Sequence, residues 1–116
     1  MKCEKLDVWK RACRLSVNVY QSMAGCRDFG FKDQITRSSL SVASKMAEGM
    51  ERYSEQEKIR FLDIARASTA ELITQVYIGI EIGFLEKESG LQMKREAEEI
   101  GKMTTSLIKG IKNAQR

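Results

Sequence analysis

Not one proline interrupts the 116 residues of this chain, and only eight are glycine. A β-rich fold of this length spends both residues on many tight turns. Their scarcity leaves room for a few long, uninterrupted elements. The apolar residues then choose the element type, because they recur at steps of three and four, which places them on one face of a helix.

Four such patterns follow one another. The first covers about residues 6–24, with Leu6, Trp9, Cys13, Ser16, Tyr20 and Met23 on one face and Ala12, Leu15 and Val19 on a second stripe. Gly25 supplies its stop signal. The second covers 31–50. Asp28 is a suitable N-cap, Ile35, Ser39, Val42, Met46 and Met50 form the seam, and Gly49 is the expected terminator. The third, 55–85, opens on Ser54-Glu55-Gln56-Glu57, the pattern of a capping box. Its seam reads Leu62, Ala65, Thr69, Leu72, Val76 and Gly79, with Ile73, Tyr77, Ile80 and Phe84 beside it. The fourth, 89–113, presents Met93, Ala97, Ile100, Thr104, Leu107 and Ile111. Short connections force successive helices to run antiparallel. The expected fold is all-α, a single domain over 1–116 built as an antiparallel up-down-up-down four-helix bundle. The second stripes on the first and third helices exceed what one bundle core requires, so a homo-oligomer is expected to bury the excess.

Charge is unevenly spread. Residues 1–45 carry nine Lys/Arg against four Asp/Glu (net +5), 46–99 carry seven against twelve (net −5), and 100–116 carry four against none (net +4). In an up-down-up-down bundle both basic ends meet at one pole. The candidate nucleic-acid-binding residues there are Lys5, Lys10, Arg11, Lys45, Arg52, Lys109 and Lys112, whose cations would neutralise phosphates. Acids at the same pole leave a solvated, mixed-sign face as the alternative. Trp9 and Tyr20 could stack on bases, but their seam positions point to packing.

Catalysis has little to draw on. The chain has no histidine, and so lacks the usual proton shuttle near neutral pH. No glycine-rich phosphate loop or metal-spaced Cys/His set is present, so neither cofactor nor metal is expected. The acidic groups Glu55/Glu57 and Glu96/Glu98/Glu99 read as solvated helix surface. Gln34, Arg37, Ser68 and Glu71 fall near the seams of the second and third helices. They suggest either a buried Arg37–Glu71 network that fixes register, or a ligand site. If buried, the pair should destabilise the fold by several kcal/mol once one partner is removed.

Cys3, Cys13 and Cys26 are odd in number and without CxxC spacing, which reads as reduced thiols. No stretch approaches the roughly 18 apolar residues of a membrane helix, and the charged N-terminus lacks a signal-peptide core. The expected location is the cytoplasm, with no membrane partner.

Three blocks carry a family likeness: LDVWKRACRLSVNVY, DFGFKDQITRSSLSVASKMAEGMERYS, and FLDIARASTAEL followed by IGF. Within them the specific features are Val8-Trp9 with Tyr20, the run from Gln34 and Arg37 to Ala47-Glu48-Gly49 and Arg52, and Ser68 with Glu71-Leu72. This stretch, Leu6 to about Leu85, resembles the four-helix-bundle proteins encoded in intervening sequences of bacterial 23S rRNA genes. That family includes the accessory variability determinant of diversity-generating retroelements. The resemblance implies a ring-like homopentamer whose positive surface engages structured RNA or other nucleic acid, and in the retroelement branch a reverse transcriptase. The chain departs from the family pattern at Lys45, where Asn is common, at Ala67, where Gly is common, and in lacking the proline after the first helix. A protein–protein scaffold with no nucleic-acid role is the alternative.

Overall fold

The computed structural model describes residues 1–114. After a 3₁₀ turn at Lys2–Lys5 come four helices: α1 (Asp7–Ser22), α2 (Phe29–Met50), α3 (Glu55–Glu81) and α4 (Lys87–Ala114). Each packs on its neighbour in sequence and α4 closes against α1, giving a rod of 48 × 20 × 20 Å. No strand occurs among the described residues. Arg116 lies outside them.

The starts of α2 and α3 are fixed by side chains that satisfy otherwise orphaned amides. Asp28 Oδ1 accepts from Phe31 N at 3.0 Å, and Ser54 Oγ accepts from Glu57 N at 3.0 Å. α3 ends four residues earlier than its apolar pattern suggests. Gly83 takes φ +82°, a conformation that costs glycine little, and the amides of Phe84 and Leu85 both donate to Gly79 O at 2.8 and 3.0 Å. The chain therefore curls back, so that Leu85 enters the core and Phe84 meets Phe31 edge-on at 5.3 Å. Those contacts mark the pole opposite the chain's N-terminus.

The core is a column of Ala12, Leu15, Val19, Met23, Ile35, Val42, Met46, Leu62, Ala65, Leu72, Val76, Met93, Ala97 and Ile100. On α3 the buried seam matches the expected one. On α1 the second stripe is buried throughout, and the first is split, with Ser16 and Met23 buried as well. Ala12, Leu15 and Val19 face inward, Trp9 and Cys13 are half-buried, and Tyr20 is 46% exposed. Buried hydroxyls are satisfied locally. Thr36, Thr69 and Thr104 donate to backbone carbonyls one turn back, and Ser16 and Ser39 share a 3.2 Å bond between α1 and α2.

The polar set Gln34, Arg37, Ser68 and Glu71 does not assemble as expected. On α2 the buried positions are 35, 36, 38, 39, 42, 43, 46 and 49, a face that turns residue 37 to the opposite side. Arg37 is 77% exposed and pairs with Asp33 at 2.9 Å. Gln34 and Glu71 are exposed as well. Instead, serines tie α2 to α3: Ser38 Oγ donates to Glu71 Oε1 and Ser68 Oγ to Ser41 Oγ, both at 3.1 Å. No charge is buried there, so the penalty expected for removing Glu71 has no physical source.

Candidate nucleic-acid interface

Cross-helix contacts set which residues share the basic pole. Gly49 on α2 faces Phe61 and Lys58 on α3. Arg66 on α3 reaches Thr105 on α4 at 3.4 Å. Arg11 on α1 reaches Glu96 and Met103 on α4. The Lys2 backbone amide donates to Glu51 at the end of α2, at 3.0 Å. The N-terminal turn, the α2–α3 connection and the end of α4 therefore occupy one end of the rod, as the alternating topology requires.

The acids at this pole are taken up by internal contacts. Glu48 holds Lys45 at 3.5 Å and Arg52 at 3.2 Å. Glu51 receives the Lys2 amide, Glu55 pairs with Lys58, Glu57 with Arg60, and Asp63 with Arg66. Glu4 binds the terminal ammonium at 2.9 Å. Asp7 alone among the pole's acids has no such partner among the described residues.

The seven cations selected from sequence therefore divide. Arg11 is committed to a fork on Glu96, with Nε at 2.9 Å and Nη2 at 2.6 Å. This bond and charge hold the Glu96 carboxyl below the usual carboxylate range. Lys45 and Arg52 are drawn over the Phe61 ring, at 5.9 and 4.4 Å from its centroid, where Arg60 joins them at 5.8 Å. That cluster of cations on a ring face is stabilising in itself. Lys5, Lys10, Lys109 and Lys112 are exposed and have no ion pair among the described residues.

Between α3 and α4 runs a groove of about 400 Å³ at this pole. Arg60 and Arg66 line one wall and Lys109 and Lys112 the other, over a floor of Ile59 and Ile108, with Asp63 the only acid in the lining among the described residues. The sequence reading passed over Arg66. Its signal was available, since Ile59, Asp63 and Arg66 flank the Leu62–Ala65 seam and so border the neighbouring helix.

A second groove, of about 360 Å³ and almost wholly apolar, lies between α1 and α2. Cys13, Val17, Tyr20, Leu40 and Ala43 form it. On α3, Ile64, Tyr77, Ile78 and Ile82 are also exposed. Burial pushes the Cys3 and Cys13 thiols above the ordinary cysteine range. No group of three or more His, Cys, Asp or Glu among the described residues could hold a metal. Nor is any described helix long and apolar enough to cross a membrane.

A family model described as 23S rRNA-intervening sequence protein matches residues 4–106. No curated protein matches the chain. Among solved structures, the chain is similar to a protein of unknown function from the S23 ribosomal protein family of Bacteroides thetaiotaomicron VPI-5482. The two share 23% identity with a TM-score of 0.82, over 88% of this chain and 98% of that one. At that identity the likeness concerns the fold.

Proposed function

The chain belongs to the 23S rRNA-intervening sequence protein family, and from that premise we propose that it is a non-enzymatic, self-assembling accessory protein that holds structured RNA at its basic pole. One observation carries the reading. The pole's acids are almost all engaged inside the molecule, while Lys5, Lys10, Lys109 and Lys112 remain without partners among the described residues. The pairing leaves the pole's net charge as the residue count gives it, but it leaves these four ammonium groups free to meet phosphates. Cations so placed bind phosphates by releasing counterions, with little regard for sequence. The absence of histidine from the chain supports a role without acid–base catalysis.

Assembly is part of the proposal. The α1–α2 groove is concave and apolar, and the exposed isoleucines of α3 offer a complementary ridge on a second copy. A head-to-tail contact of this kind closes into a ring when the rotation allows, and the family resemblance implies five subunits. Repetition would turn four lysines into a multivalent surface. In the retroelement branch of the family the RNA would be shared with a reverse transcriptase.

The apolar groove favours one second reading, a scaffold that binds only protein. Titration with a structured RNA at two salt concentrations separates them. The proposal expects affinity that falls steeply with salt, with a log–log slope of about −0.9 per phosphate contacted on duplex and about −0.7 on single strands. Absence of binding at low salt, or binding indifferent to salt, would leave the scaffold reading in its place.

A further inference from the structure

The α3–α4 groove narrows down the form of RNA that the pole would accept. This step rests on the RNA-binding reading and asks what the groove's shape and chemistry add to it. Four cations and one acid line the groove, and since Arg60 and Arg66 already hold Glu57 and Asp63, its unpaired positive charge among the described residues is that of Lys109 and Lys112. Packed helices lie only about 8–10 Å apart, which makes the furrow between them a narrow one. A duplex is too broad to enter and would ride on the helix crests.

Tyr53 supplies the second observation. It stands in the α2–α3 turn, three residues before Gln56 on the groove wall, and its side chain is completely exposed at 103%. Neighbouring Arg52 and Arg60 are both engaged by Phe61, which leaves the tyrosine ring without a protein partner in a cationic setting. A bare aromatic face beside a phosphate-binding channel is the pairing that single-strand binders use, because unpaired bases offer their π-faces for stacking. Paired bases do not, and RNA recognition concentrates on loops and ends for that reason.

We propose that the α3–α4 groove seats the backbone of an unpaired RNA segment, with Lys109 and Lys112 on its phosphates and Tyr53 stacking on a base at its end. The protein would then hold the loops or tails of a folded RNA and not its stems.

Anisotropy titrations with a labelled oligouridylate and a blunt RNA duplex of equal length test this. Wild type should prefer the single strand. The double variant K109A/K112A should flatten the log affinity–log salt slope on the single strand by roughly 1.4, at about 0.7 per lost contact. Tyr53→Ala should weaken single-strand binding about tenfold without altering that slope, and Tyr53→Phe should restore it. All these side chains are exposed, so unchanged melting temperatures serve as the folding control. Equal or tighter duplex binding, or an unaltered slope in the double variant, overturns the proposal. If K5A/K10A instead lowers the slope while the groove variant does not, the groove is wrong and the RNA reading stands. If wild type binds neither probe, both fall.

Discussion

Gly49 was read from the sequence as a helix terminator, and the structure gives it a different task. It lies inside α2, buried, where a Cβ would sit 2.8 Å from Phe61 Cβ and 3.3 Å from Lys58 O. It is glycine because α3 crosses there. The same crossing positions Phe61 under Arg52, Lys45 and Arg60. Gly49→Ala should therefore destabilise the protein by up to about 2 kcal/mol. Overpacking costs about 1–3 kcal/mol, and the helix-propensity gain of about 1 kcal/mol offsets only part of it. Thermal or urea unfolding decides the matter, and a variant as stable as wild type would mean that the two helices simply move apart. Periodicity could reveal that position 49 is on the seam. It could not reveal which residue of another helix stands opposite. Arg37 is a different case: it stands two places, about 200° of helix rotation, from both Ile35 and Ser39, so the same periodicity already directs it away from the seam.

Among the helices, α1 is the shortest, and Arg11–Glu96 is the one ion pair that ties it to α4 among the described residues. Both side chains are about a third exposed, so after solvent screening the pair contributes about 0.5–1 kcal/mol. Because folding lowers the Glu96 pKa, that contribution is present above the unfolded value of about 4.3 and fades as pH falls through the folded one. Glu96→Gln should be less stable than wild type at neutral pH, and the gap should narrow below the unfolded value and close once the folded-state carboxyl is itself protonated. A deficit that persisted in acid would assign the effect to packing. Caps and seams made the helix starts legible, as Asp28 and Ser54 show. The early end of α3 was hidden, because Ile80 and Phe84 keep the apolar rhythm across a turn that only Gly83 permits.

For the whole molecule, alternation of direction was legible from connection length alone, and it brought the basic ends to one pole. The excess of apolar residues was legible too, although which stripe stayed outside was not. Ala12, Leu15 and Val19 are smaller than Trp9 and Tyr20, and the tight core took them together with Met23. The groove they leave, bordered by Val17, Tyr20 and Leu40, is where a second copy is proposed to dock. Leu40→Asp should abolish self-association in sedimentation experiments while leaving the melting temperature of the monomer nearly unchanged, since Leu40 is exposed. A wild-type protein that sediments as a monomer at high concentration removes the assembly model. The alternation has a practical side as well. Met1 and Ala114 both stand at the lysine-bearing end, so a bulky group attached at either would crowd that surface. A fluorophore at the Gly83 turn, toward the far end of a 48 Å rod, would leave that surface clear.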